Sequence, residues 1–134
     1  MQFRADNFDH PIYIKSFDQK KSEITVVSKF DKDQKAISTS LSTSLIVLFN
    51  QIIENWGPDS HTKLTKEDIT QLLTYKPEII ILGIGDKLEP LPYHILEPLY
   101  LSKIPFEVMS TLSACRTYNL LAGEHRKVAA ALIL

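Results

Sequence analysis

The run STLSACRTYNLLAGE, residues 110–124, gathers the side chains of this chain best suited to chemistry. It holds the single cysteine, Cys115, followed at once by Arg116, Thr117, Tyr118 and Asn119. A thiol near a helix N-terminus and beside a guanidinium has a depressed pKa and gains nucleophilicity. If Ser110 or Thr111 caps the helix, the first free amides come from residues 112 to 114, an anion site by geometry and dipole. At about 100° per residue, Ala114, Cys115, Tyr118, Leu121 and Ala122 share one face, with Arg116, Asn119 and Gly123 towards another. On that apolar face a free cysteine acts as a small hydrophobe. A cysteine nucleophile also wants a histidine base within reach. His125 stands at the far end of the same helix, roughly 15 Å away by helical rise, and His94 approaches only through tertiary folding. Packing is therefore preferred for Cys115, and slow alkylation is expected. Arg116 keeps two readings, a bond to exposed carbonyls or Glu124 and a contact to a ligand. Thr117 and Asn119 can tie down a loop in the same way.

A second candidate is LGIGDKLEP, Leu82 to Pro90. Gly83 and Gly85 after a strand match the start of a dinucleotide fingerprint, but its third glycine falls on Leu88. Pro90 and Pro92 also delay the helix, so its amides do not sit under a pyrophosphate. The preferred reading is a sharp turn off the strand. His10, His61, His94 and His125 stand alone, with no metal-ligand spacing and no Cys/His cluster. No metal and no cofactor are expected.

These residues need elements to position them. IYIKSF (Ile12 to Phe17) alternates apolar and polar, and EITVVSKF (Glu23 to Phe30) is rich in β-branched residues, so both predict strands. DKDQK (Asp31 to Lys35) predicts a polar turn. The tandem STSLSTSL (Ser38 to Leu45) predicts one half-buried strand, leading into an apolar run, LIVLF, that suits burial on both faces. Asn50-Gln51 is a candidate turn into IIENW. GPDSHTKL (Gly57 to Leu64) predicts a loop. Thr65 predicts an N-cap, with Glu67 and Asp68 at the positive end of the dipole. That helix runs to about Tyr75, with Ile69, Leu72 and Leu73 as its apolar stripe, and Pro77 stops it. Beyond it, EIIILGIG, PYHILEPLYLSK, PFEVM, LSACRTYNLLAGE and KVAAALIL alternate strand and helix. Pro98 either restarts the first of these helices or kinks it. Strand, helix, strand at this spacing implies a parallel pair with a crossover.

The expected architecture is mixed α/β over residues 1–134 as a single domain. It is a three-layer domain with a central mixed β-sheet, a strand-rich N-terminal half and a βαβαβ-like C-terminal half. Composition is 44% hydrophobic, with 15 basic and 16 acidic side chains. Near-zero net charge argues against a nucleic-acid binder. The longest apolar runs are too short to span a bilayer, MQFRADNFDH has no signal-peptide pattern, and one cysteine favours a cytoplasmic location.

If the strands IIIL and FEVM are parallel, their carboxyl ends share an edge, where open α/β sheets place ligands. Gly83, Gly85, Thr111 and Arg116 then line one shallow site. With Cys115, Thr117 and Asn119 they make the candidate ligand- or partner-binding set. No full catalytic set is present, which weighs against an enzyme.

PEIIILGIG, FEVMSTLSACRTYN and EHRKVAAALIL resemble a small, largely uncharacterised family. It includes mitochondrial respiratory complex I assembly factor 3 and an adipogenesis-associated animal relative. The resemblance runs from about Pro77 to Leu134, with Glu107 to Asn119 its most specific part. Carried over by position, the motif residues are Gly83, Gly85, Met109, Thr111, Ala114, Cys115, Arg116, Thr117, Tyr118, Asn119, Glu124 and Arg126. Lys103 stands where relatives often have a glycine, and Asn50-Gln51 replaces a more turn-like pair. The resemblance implies a three-layer domain, no established enzymatic activity, and assembly of the NADH:ubiquinone oxidoreductase through protein contacts. The leading expectation is a non-enzymatic accessory or assembly protein whose partners include respiratory-complex subunits. The alternative is a domain or enzyme for a small anionic ligand, using the edge formed by the Gly83-Gly85 turn and the Thr111-Arg116 helix start.

Overall fold

The computed structural model of the chain describes residues 2–3, 11–29 and 35–134. His10 and most of the Asp31–Lys35 turn lie outside the described residues. The alternating N-terminal segments form a three-stranded antiparallel sheet, ordered β1-β2-β3. Its strands are β1 (Ile12–Asp18), β2 (Glu23–Ser28) and β3 (Ile37–Leu41). Ile12, Ile14 and Phe17 of β1 and Ile24 and Val26 of β2 turn into the core.

The tandem repeat does not make one strand. It breaks after Leu41, and β4 (Leu45–Leu48) begins in a different sheet. Ser44 explains the break. Its hydroxyl donates to the Pro58 carbonyl at 2.6 Å, and its own carbonyl accepts from the Trp56 amide at 2.9 Å. Thr43 donates to Asn55 Oδ1. The polar repeat residues are therefore spent on the following loop rather than on a ladder. β4 is buried at all four residues and folds back on β5 (Ile52–Ile53). The Leu48 amide donates to the Gln51 carbonyl, so Phe49 and Asn50 are the central turn residues and neither has positive φ.

The first helix, α1 (Lys66–Leu73), starts as its cap predicts. Thr65 Oγ1 accepts from the Asp68 amide, and the Asp68 carboxylate accepts from the Thr65 amide. These two reciprocal bonds satisfy amides the helix leaves orphaned. Ile69 and Leu72 are fully buried, each contributing about 2 kcal/mol of hydrophobic stabilisation.

The C-terminal half alternates β6 (Ile79–Ile84), α2 (Tyr93–Ser102), β7 (Phe106–Met109), α3 (Thr111–Gly123) and β8 (Val128–Ile133). The second sheet is ordered β5-β4-β8-β6-β7, with β6 parallel to both β7 and β8 and β4 antiparallel to β8. It is the central mixed sheet. α1 and α2 pack on one face, around Trp56, Ile69, Leu72, Leu96 and Leu99. α3 and the N-terminal sheet cover the other. α2 runs through Pro98 without a restart. Lys103 holds the left-handed position ending α2, at φ 64.

Candidate functional site

Ser110 caps α3, its hydroxyl accepting from the Ser113 amide at 3.3 Å. Thr111 follows as the first helical residue and is fully buried. Its amide donates to the Gly85 carbonyl and the Gly85 amide donates to Thr111 Oγ1, both at 2.8 Å. The Thr111 hydroxyl in turn donates to the Ile133 carbonyl. One threonine thus joins the carboxyl ends of β6 and β8 to the start of α3. The loop leaving β6 leads to one face of the sheet and the loop leaving β7 to the other, the arrangement that opens a ligand crevice in α/β sheets. Here backbone and hydroxyl groups that would meet a ligand bind one another.

Gly83 and Gly85 serve different needs. A Cβ at Gly83 would lie 3.0 Å from both Ala114 Cβ and Thr111 Cα, so this glycine lets α3 approach β6. Gly85 has φ 106, a conformation that favours glycine, and turns the chain off the strand.

The rest of the motif faces inward to an extent its helical phase did not predict. Asn119, placed by periodicity away from the apolar face, is only 4% exposed. Its Oδ1 accepts from the Ile14 amide at 2.9 Å and its Nδ2 donates to the Ile14 carbonyl at 2.8 Å. The carboxamide has the donor and acceptor spacing of a backbone peptide, so it pairs with β1 as a strand would. The Tyr118 hydroxyl lies 3.0 Å from the Ile12 carbonyl and 3.1 Å from the Leu48 carbonyl, one proton facing two acceptors from two sheets. Burial raises the tyrosine pKa.

Cys115 is fully buried among Ala114, Tyr118 and the inner residues of the sheets. Desolvation raises its pKa to about 12, outweighing an opposing charge effect. His94 is carried by α2 on the opposite face of the sheet from Cys115. Thr117 donates to Met109 Sδ at 3.4 Å, and Arg116 is exposed on α3.

A cleft of about 350 Å³ opens beside Gly85 at the carboxyl ends of β6 and β8. Phe17, Gln19, Ser22, Asp59, Ser60, His61 and Asp86 help to line it, and none of its lining residues is Lys or Arg. Reading the sequence did not gather these residues. For Asp59, Ser60 and His61 the signal was the polar content of the 57–64 loop, whose position beside β6 depends on long-range folding. His61 Nε2 lies 3.0 Å from Glu89 Oε2, tying that loop to the loop after β6. Among the described residues no group of three or more His, Cys, Asp or Glu side chains converges to hold a metal. No helix among them is long and apolar enough to cross a membrane.

A family model described as a protein of unknown function (DUF498/DUF598) matches residues 27–133. A mouse NADH dehydrogenase [ubiquinone] 1 alpha subcomplex assembly factor 3 is 36% identical over 89 residues, 65% of this chain and 48% of that protein. The chain thus matches about half the length of that curated relative. A Francisella tularensis 13 kDa major membrane protein is 31% identical over 90 residues, 66% of this chain and 73% of that protein. Among solved structures, a Xanthomonas campestris protein determined by NMR superposes with a TM-score of 0.71 at 27% identity, covering 97% of this chain and 92% of that one.

Proposed function

Because the chain belongs to the protein family of unknown function DUF498/DUF598, we propose that it is a non-enzymatic accessory factor that assists respiratory complex I assembly through protein contacts. The observation that carries this reading is the 36% identity over 89 residues to a mouse assembly factor of that complex. The geometry of the motif supports it. Thr111, Tyr118 and Asn119 bind the chain's own backbone, and the thiol of Cys115 is held protonated by burial. Such a motif builds a scaffold whose outer surface makes the contacts. A cytoplasmic location, argued from the lone cysteine, belongs to the same proposal.

Affinity capture from the native organism tests it. Respiratory-complex subunits are expected to come down with the protein. Capture of a partner set lacking them would overturn the assembly role. The small-anion alternative, at the edge of the Gly83-Gly85 turn and the Thr111-Arg116 helix start, meets Gly85 and Thr111 groups that already bind one another. A thermal shift on adding inorganic phosphate, lost in Arg116→Ala, would restore that alternative. An unchanged thermal profile together with loss of captured subunits in Arg116→Ala favours the protein-contact reading.

A further inference from the structure

The outer edge of β7 is built to receive another strand. β7 ends the order β5-β4-β8-β6-β7, so among the described residues only β6 pairs with it. The Ile80 amide donates to the Pro105 carbonyl. Successive residues of a strand alternate in which edge their amide and carbonyl serve. Glu107 and Met109 therefore bond towards β6, while Phe106 and Val108 turn theirs to the open side. Only another extended backbone matches such a row. The α2 side of this edge is apolar and exposed. Tyr100 is 54% exposed, sits edge-on to Phe106 with ring centres 5.1 Å apart, and stacks on Tyr93 at 5.4 Å. Phe106 and Val108 pack on this side of the sheet, whereas Met109 packs on the other.

Charge selects the occupant. Antiparallel self-pairing that uses Phe106 and Val108 of both copies sets Phe106 opposite Val108 and Glu107 opposite Glu107. Glu107 is exposed, and like charges facing across a ladder destabilise it. A second copy is thus disfavoured and a cation opposite Glu107 is favoured. Resting on the protein-contact reading above, we propose that β7 accepts an extended segment of a partner protein reading apolar, Lys or Arg, apolar. Its apolar residues lie opposite Phe106 and Val108, against the Tyr100 ring, and its cation lies opposite Glu107. The shortness of the strand, four residues, keeps the edge from pairing indiscriminately.

The test titrates the full chain, labelled with nitrogen-15, with end-blocked peptides centred on Val-Lys-Val or Val-Glu-Val at up to about 1 mM, the range of weak peptide docking. The Phe106 and Val108 amides are expected to shift, with Val-Lys-Val binding about fivefold tighter. Glu107→Lys is expected to reverse that order, and Glu107→Gln, the milder variant, to level it. Amide shifts elsewhere, no shift with either peptide, or an order unchanged in both variants would overturn the proposal. So would a concentration-dependent dimer of the free chain that uses the same amides. Subunit capture reads the assembly role separately. A silent edge with subunits still captured rejects this surface alone, whereas a bound peptide without captured subunits rejects the assembly partner and leaves the edge standing.

Discussion

Asn119 shows at the scale of one residue what the motif does. Its carboxamide supplies the donor and acceptor that Ile14 would otherwise find in a neighbouring strand. Leaving either backbone group of Ile14 unpaired in the interior costs about 1–3 kcal/mol. Asn119→Asp keeps the shape and removes the donor, setting a carboxylate oxygen against the Ile14 carbonyl. The variant should lose about 3 kcal/mol at pH 7 in urea unfolding. Burial and the facing carbonyl raise the folded-state pKa of the introduced carboxyl above its unfolded value. The variant's deficit is therefore smallest at low pH, where the protonated acid donates to Ile14, and grows as pH rises through that pKa. A deficit under 1 kcal/mol at pH 7 would show that the pair bears little weight. The sequence offered Asn119 a tie to a loop, not a bond to a buried strand. Helical phase placed Ala114, Cys115, Tyr118 and Ala122 inside, where they are. It sent Asn119 elsewhere, because periodicity has no knowledge of a strand lying 105 positions away with an edge to satisfy.

Elements were legible where one local rule decided them. Thr65 and Asp68 name the start of α1 by their capping pattern, and the alternation of the last 58 residues names β6 through β8. Where a tertiary partner decided, as at Ser44, the local pattern misled, since a repeat of alternating polar and apolar residues is compatible with continuing as a strand. Lys103 lies between these cases. The end of α2 needs a left-handed residue, and lysine supplies it at φ 64. A non-glycine residue there costs about 1–2 kcal/mol, partly offset because glycine is more costly to order from the unfolded chain. Lys103→Gly should therefore stabilise the protein by about 0.5–1 kcal/mol, read as an increase in the urea midpoint at unchanged slope. A decrease would mean that the Lys103 side chain contributes more than its backbone costs. Gly83 marks the reverse situation, where close approach of α3 rather than φ requires glycine, so an added side chain there would press on Ala114 and Thr111.

For the whole molecule, α3 joins its layers, and its two ionisable hydroxyl and thiol groups make that junction sensitive to alkali. Cys115 and Tyr118 are both buried in the core between the N-terminal and central sheets. Burial raises the thiol pKa to about 12 and the phenol pKa as well. In the unfolded chain they ionise near 8.5 and 10, roughly. The native state is then favoured fully below pH 8.5. Above it the unfolded chain releases a proton that the folded chain retains, and stability falls by about 1.4 kcal/mol per pH unit. The fall continues until the native thiol itself ionises near pH 12. Tyr118 adds a second proton above about pH 10. Urea unfolding between pH 7 and 11 should accordingly show a loss that begins near pH 9 and steepens past pH 10. Cys115→Ala lowers stability by a pH-independent amount through the lost packing, yet removes one proton from the slope between pH 9 and 10. Equal slopes for the parent and the variant over that interval would mean that the thiol ionises as readily folded as unfolded, and α3 would not be the sealed junction its contacts describe.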